Sequence, residues 1–143
     1  MIVEDNTESI IQKHDLAKLQ AILAVCLTVE GAAVSYCAVD LGDLRSSIGH
    51  DCKLGKKGGV SRPAGYDGIV FTNKAHGPHV EFGIRPHVIT IKTKRVLSDG
   101  KQVFGTKVNH PGTKAQPFMR PAVDSTWGRC NQIMKTKLGA IAK

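Results

Sequence analysis

The fold is decided first by residues 7–39, TESIIQKHDLAKLQAILAVCLTVEGAAVSYCAV, which contain no proline. Apolar side chains recur there at intervals of three and four residues, the spacing of one buried helix face: Ile11, Leu16, Leu19, Leu23, Cys26 and Leu27. A helix of about 30 residues is roughly 45 Å long, whereas a compact chain of this size is under roughly 40 Å across. We therefore expect the helix, which occupies residues 1–39, either to bend at Gly31 or to project toward a neighbouring subunit.

The middle of the chain, residues 40–115, has the pattern of short strands. Alternating apolar residues predict a first strand at residues 48–54 and a second at residues 68–72. Residues 87–108 predict a long β-hairpin, because β-branched residues alternate there and the Asp-Gly pair at 99–100 suits a tight turn. Between the strands, the glycine-rich and basic residues 55–65 are expected to form a mobile loop.

A second long helix is predicted for residues 116–143. Pro121 is tolerated in the first turn of a helix, and a second apolar stripe follows it: Val123, Trp127, Cys130, Met134 and Ile141. The sequence thus predicts an α+β fold in a single domain, 1–143. It has a long amino-terminal helix, a mainly antiparallel sheet of about four strands, and a carboxyl-terminal helix packed on the sheet.

The chain is basic, with 20 Lys and Arg against 12 Asp and Glu, giving a net charge of +8 over 143 residues. Such a balance suits nucleic acid or an acidic protein partner. Seven basic residues of the 55–65 loop and the hairpin are candidates for facing DNA or a partner: Lys56, Lys57, Arg62, Lys92, Lys94, Arg95 and Lys101. The alternative is an ordinary solvated face whose lysines protect a sheet edge. Aromatic residues make up only 5% of the chain, which disfavours stacking on single strands.

Membrane insertion and export are not expected. The longest uncharged apolar stretch, between Gln20 and Glu30, is about half the length that a bilayer crossing requires, and the acidic start MIVEDNTES is unlike a secretory signal. The four cysteines are widely spaced and contain no C-x-x-C pair, so we expect reduced, mostly buried thiols.

The sequence lacks the patterns of the common catalytic sites. It has no nucleophile elbow, no pair of carboxylates placed for hydrolysis, and no complete phosphate-binding loop. Four histidines (His76, His79, His87 and His110) fall close together, but Glu81 is the only acidic residue near them. We expect no catalytic residue, no metal site and no cofactor.

Three motifs follow one another along the chain. The first is Asp40-Leu41-Gly42-Asp43-Leu44-Arg45-Ser46-Ser47-Ile48, the second is Val80-Glu81-Phe82-Gly83, and the third runs from Gln116 to Ala122 as QPFMRPA. In order and spacing they resemble the tail-completion or neck proteins of long-tailed bacteriophages, which join head to tail and are also described as minor tail components. The chain departs from the family pattern at Ala38, at Pro78-His79 and at Ile84.

This resemblance implies a structural virion protein. Its subunits would form a ring, commonly sixfold, at the head–tail junction, completing the tail or neck and allowing DNA to pass. Implied partners are further copies of the chain, head-closure or adaptor proteins of the neck, the tail tube or terminator, and the passing genomic DNA, with no membrane. The implied location is the virion, and the host cytoplasm during assembly. The alternative is a small basic nucleic-acid-binding protein without sequence preference.

The resemblance assigns structural roles to twelve motif residues: Asp40, Gly42, Leu44, Arg45, Ser47, Glu81, Phe82, Gly83, Pro117, Phe118, Arg120 and Pro121.

Several of these residues, with Ile48, carry specific expectations. Gly42 and Gly83 supply backbone freedom at tight turns. Four residues are expected to anchor the core: Leu44, Ile48, Phe82 and Phe118. Glu81 is expected to pair with Arg45 or Arg120, because a partly buried charge needs a partner. The 87–108 hairpin and the 55–65 loop are expected to reach an adjacent subunit or the lumen of the ring.

Overall fold

The computed structural model describes residues 7–38, 42–55, 65–91, 97–98, 101 and 103–139. Four helices and six strands follow one another along these residues. In chain order they are α1 (Thr7–Tyr36), α2 (Asp43–Ser46), β1 (Ile48–Gly55), β2 (Gly65–Thr72), α3 (Gly77–Phe82), β3 (His87–Thr90), β4 (Leu97–Ser98), β5 (Val103–Gly105), β6 (Lys107–His110) and α4 (Met119–Gly139).

The elements divide into two compact units. The first, here called the helical unit, runs to Lys74 and resumes at Phe118, so that it contains α1, α2, β1, β2 and α4. The second, the hairpin unit, is Ala75–Pro117 and contains α3 and the strands β3 to β6.

In the helical unit, α1 packs against α4 and against the antiparallel pair β1–β2. The thiol of Cys26 on α1 lies close to those of Cys52 on β1 and Cys130 on α4. Ala32, which follows Cys26 on α1, adjoins Thr126, which precedes Cys130 on α4. The two long helices are therefore antiparallel.

The hairpin unit is held together by antiparallel pairing. Strand β3 pairs with β6, placing His87 opposite His110, and β4 pairs with β5 inside that pair. An isolated bridge joins Ile84 to Thr113, with two N–H···O hydrogen bonds of 2.9 Å between the two residues. This nested pairing is that of a hairpin, as predicted, and it extends the predicted 87–108 range to His110.

The predicted mixture of helices and antiparallel strands is confirmed, including a long first and a long last helix. A four-stranded sheet is not formed by the described strands, which pair two by two. The four predicted strands are present, but helix α3 separates β2 from β3 along the chain, and among the described strands β2 pairs with β1 alone. The backbone groups of β3 then pair with those of β6.

A bend at Gly31 was one of the two outcomes expected for α1. The helix continues through Gly31 without interruption. Its buried face differs from the predicted one. Of the predicted apolar stripe, Cys26 is buried, whereas the larger side chains Ile11, Leu16, Leu23 and Leu27 are exposed. Ala21 and Ala33 occupy the fully buried positions instead, because small side chains let the helix approach its neighbours closely.

The predicted core anchors are confirmed at three positions and wrong at one. Leu44, Ile48 and Phe118 are buried, and Phe118 is the largest fully buried side chain among the described residues. Phe82 is 70% exposed, because it closes a six-residue helix whose buried residues are Gly77 and Glu81. The predicted turn glycines are confirmed, with φ of 78° at Gly42 and 73° at Gly83.

Gly68 marks the closest approach of β2 to α1. A Cβ atom at this position would lie 2.6 Å from Cγ2 of Ile22 and closer still to Sγ of Cys26. We expect Gly68→Ala to lower the free energy of unfolding by about 2 kcal/mol, because overpacking forces the helix away from the strand. Urea denaturation measures the change.

The matched control for this substitution is Gly49→Ala on the paired strand β1, where no heavy atom lies within 4 Å of an added Cβ. This variant is expected to stay within about 0.5 kcal/mol of the parent. Equal losses in the two variants would contradict the close approach of strand and helix.

Residues Ile11–Tyr36 of α1 are long and apolar enough, by length and composition, to cross a membrane, with a mean hydropathy of 1.6. Signal sequences and helices in the cores of soluble proteins have the same properties. Only 17% of the apolar window is buried within the described structure. The helix therefore carries more apolar surface than its own unit covers.

Candidate assembly surface

The helical unit exposes large apolar side chains on each of its three main elements. On α1, Leu16 is 56% and Leu27 is 51% exposed. On α4, Trp127 is 64% exposed, and on the outer face of the β1–β2 pair Ile69 is 58% exposed. Scattered single apolar residues are normal on a protein surface, but exposure concentrated on one long helix is typical of an interaction surface.

An open groove, here called the helix groove, follows α4. Its wider part has a volume of about 490 Å³ between Leu27 and Gly31 of α1 and Thr126 of α4. Its narrower part, of about 270 Å³, is lined by Ile133 and Lys137 among others, and Arg129 lines both parts. None of the described lining residues carries a carboxylate, so the helix groove is positively charged.

The amino-terminal turns of α1 extend beyond α4. Cys26 on α1 lies close to Cys130 on α4, and the two helices are antiparallel. The described part of α4 ends at Gly139, nine residues after Cys130, so this end of α4 lies near Ala17, nine residues before Cys26 on α1. Residues 7–16 of α1, here called the overhang, therefore lie past the described end of α4 and are roughly 15 Å long. Their exposed apolar side chains include Ile11, at 54%.

Polar contacts fix α1 to the strands beneath it. Glu30 of α1 accepts a hydrogen bond at Oε2 from Nδ1 of His50 on β1, and both side chains are about three-quarters buried. The hydrogen bond between Glu30 and His50 holds one face of α1 against the β1–β2 strands. It thereby determines which face of α1 is exposed.

The first motif forms the corner between α2 and β1. Ser47 donates its hydroxyl hydrogen to the Leu44 carbonyl at 2.7 Å, and its Oγ lies 2.6 Å from Oγ1 of Thr72 on β2. Since the Ser47 hydrogen is used on Leu44, Thr72 is the donor in the second contact. The motif residues thus make a structural joint between helix and strand.

All four cysteines are unpaired, as predicted, and three of them are buried. Burial and, to a smaller extent, the hydrogen bond to Cys52 together raise the pKa of the Cys26 thiol from its ordinary 9.0 to about 12. Burial also raises the pKa of Cys37, against a smaller lowering by the Arg45 guanidinium. At neutral pH both groups are protonated thiols and poor nucleophiles.

The raised pKa of Cys26 predicts a loss of stability in alkali. The folded state holds the proton more tightly than the unfolded state, so this contribution is complete below the ordinary value of 9.0 and is lost as pH rises toward about 12. We expect the free energy of unfolding to fall by roughly 1 kcal/mol between pH 7 and pH 10 from this group. Urea denaturation at both pH values measures it.

Cys26→Ala is the control for this alkaline effect, because it removes the titrating thiol and leaves the lysines and tyrosines in place. The pH-dependent loss is expected to be smaller in this variant by roughly the same 1 kcal/mol. An identical alkaline loss in parent and variant would contradict the assignment to Cys26.

The predicted basic surface lies largely outside the described residues. Lys56, Lys57, Arg62, Lys92, Lys94 and Arg95 fall in the undescribed stretches, as does Asp40 of the first motif. Lys101 is described and exposed. The prediction that the loop and the hairpin tip face DNA or a partner therefore stays a prediction.

Glu81 is the one charged side chain that is buried among the described residues, as expected of a charge that needs a partner. It belongs to the hairpin unit, whereas Arg45 and Arg120, both exposed, belong to the helical unit. The predicted pairing of Glu81 with either arginine stays a prediction.

The histidines of the hairpin unit are engaged in local contacts. The rings of His87 and His110 lie 5.0 Å apart across β3–β6, and Nδ1 of His110 accepts a hydrogen bond of 3.1 Å from the Gly112 N–H. Within the described ranges, no three His, Cys, Asp or Glu side chains are placed to hold a metal ion.

The sequence analysis identified the long helix and its excess length but missed the helix groove. Its lining combines small residues of α1 with Arg129 and Thr126 of α4, which lie about a hundred residues apart. The sequence feature that could have indicated the helix groove was the run of small residues Gly31, Ala32 and Ala33, because α1 has little side-chain volume at that point.

The chain matches no model of a protein family, and no curated protein or solved structure is significantly similar to it.

Proposed function

We propose that this chain is a structural virion protein that forms a ring, of six copies, at the head–tail junction of a bacteriophage. The ring completes the tail or neck and leaves a passage for DNA. One observation carries the proposal, namely that three motifs resembling those of tail-completion and neck proteins follow one another in order along the chain.

The position of the motif residues supports a structural role for them. Leu44 and Phe118 are buried, Gly42 and Gly83 occupy turns with positive φ, and Ser47 joins α2 to β2. Each of these contacts therefore helps to maintain the local shape of the chain.

The exposed apolar side chains of α1 and α4 support assembly. A monomer in water leaves such surface uncovered only at a cost of roughly 25 cal/mol for each Å². When copies associate, the same surfaces become covered on every subunit. A head-to-tail contact forms a closed ring if the rotation between neighbouring subunits brings the last copy back to the first. Further partners would be adjoining neck proteins and the tail tube or terminator.

The net charge of +8 favours a second candidate, a small nucleic-acid-binding protein without sequence preference. Salt titration distinguishes the two. Direct phosphate binding weakens linearly in log salt with a slope near −0.9 for each phosphate neutralised, whereas a ring subunit is expected to bind duplex DNA weakly. Tight, steeply salt-dependent binding by the monomer would favour the second candidate.

Negative-stain electron microscopy of the purified chain tests the ring directly. We expect closed rings with a central opening at high protein concentration. Open filaments would retain the head-to-tail contact but contradict ring closure by this chain alone.

A further inference from the structure

We infer that the overhang of one copy docks in the helix groove of the next, so that copies of this chain associate head to tail. The inference deepens the proposed function and rests on it, since it names the two surfaces that join neighbouring subunits. The partner is a second copy of this chain.

The overhang has an acidic and apolar face that its own unit does not cover. Glu8, Gln12 and Leu16 are spaced four residues apart and so lie side by side on the helix, with Ile11 beside Glu8 on the other side, three residues along; all four are exposed. The sequence just before the overhang adds Glu4 and Asp5.

The helix groove offers the complementary chemistry. Arg129 lines both of its parts and Lys137 lines the narrower one, while Leu27 and Ile133 supply apolar surface. The Glu8 carboxylate and the Leu16 side chain of the overhang therefore complement the positive charge and the apolar side chains of the helix groove.

The two surfaces lie at different places on the subunit, which makes the contact heterologous. The overhang is the start of α1, whereas the helix groove adjoins the carboxyl-terminal half of α1. When subunits join through two different surfaces, the growing assembly still has a free overhang at one end and a free helix groove at the other. Further copies therefore add until the ring closes. A helix of about three turns buries less than the roughly 800 Å² a side of a standard interface, so each contact is weak by itself.

Two variants block one surface each. Ile11→Gln with Leu16→Gln removes the apolar side chains of the overhang. Gly31→Gln fills the helix groove, and no heavy atom lies within 4 Å of a Cβ added at Gly31, so the fold accommodates it. The matched controls are Gly128→Gln, also in an open helical position outside the groove lining, and Ile69→Gln with Phe71→Gln on the strand pair.

Sedimentation velocity of the full chain, between about 2 and 200 μM, measures the association. We expect the parent and both controls to grow beyond the 15.4 kDa monomer with rising concentration, and each blocked variant to associate at least tenfold more weakly. A 1:1 mixture of the two blocked variants is expected to stop at a dimer of about 31 kDa, because only one productive contact remains.

The charge component has its own test. Glu8→Lys and Arg129→Glu are each expected to weaken association about three- to fivefold, and the two changes in one chain to restore most of it. Circular dichroism confirms that each variant is folded. Since Glu8 and Arg129 are both exposed, the charge swap tests the contact even where a groove-filling variant is unstable.

Three results would overturn the inference. The parent chain could stay monomeric throughout, the blocked variants could associate like the parent, or the Ile69/Phe71 control could alone abolish association. Pelleting of a monomeric parent with phosphatidylcholine–phosphatidylglycerol vesicles would show that α1 meets lipid instead. A ring that survives both blocked variants would reject this contact while leaving the proposed ring intact.

Discussion

Replacing Phe118 by alanine is expected to lower the free energy of unfolding by about 3–5 kcal/mol, the usual cost of emptying a fully buried aromatic site. Phe118 is 1% exposed and immediately precedes α4, whose first-turn residue Ala122 is fully buried. The loss combines the removed apolar contacts with the cavity that the neighbouring side chains cannot fill. Urea denaturation followed by far-ultraviolet circular dichroism measures it.

Phe82→Ala is the matched control, because it removes the same side chain where 70% of it is exposed. This change is expected to cost under about 0.5 kcal/mol. Phe118→Leu, which keeps most of the volume, is expected to recover more than half of the lost stability. Comparable losses at Phe118 and Phe82 would contradict the placement of Phe118 in the core.

Gly83→Ala is expected to cost about 3 kcal/mol in the hairpin unit. Gly83 has φ 73° and ψ 178°, a region that only glycine occupies readily. An added Cβ would also lie 2.6 Å from the Thr113 carbonyl oxygen and 2.8 Å from the Ala115 nitrogen. Both are backbone atoms, so relief of the collision would disturb the Ile84–Thr113 bridge.

Gly105→Ala separates the two causes of this loss. Gly105 also has a positive φ of 85°, but no heavy atom lies within 4 Å of an added Cβ. This variant is expected to lose about 1 kcal/mol through backbone strain alone. Thermal and urea denaturation of the two variants give the difference, and equal losses would show that the Thr113 backbone does not crowd Gly83.

Local patterns predicted the elements well. The absence of proline from residues 7–39 marked α1, the alternation around His50 and Cys52 marked β1, and the alternating β-branched residues after His87 marked the hairpin. Each of these signals is contained in a few neighbouring residues, and local backbone preference decides it.

The buried face of α1 could not be predicted in the same way. Periodicity identifies an apolar face but not the surface that covers it, and Leu16, Leu23 and Leu27 proved to be exposed. The face that packs inside the unit is marked by Ala21, Cys26 and Ala33, because small side chains let α1 lie close to its neighbours. A strong apolar stripe is equally the signature of a face that meets another chain.

The pairing of β3 with β6 within the hairpin was predicted from local patterns, but the number of strands in one sheet was not. The sequence pattern does not encode which strand pairs join, and the described strands pair two by two. The predicted role of Phe82 failed for a related reason, since a six-residue helix buries only one side, and that side carries Glu81.

Mass spectrometry tests the central claim most directly, on virus particles purified from cells that carry the gene for this chain. With isotope-labelled peptide standards, the account predicts that the chain copurifies with complete virions at about six copies per particle, the number of a single sixfold ring. Its absence from washed, infectious particles would contradict the account.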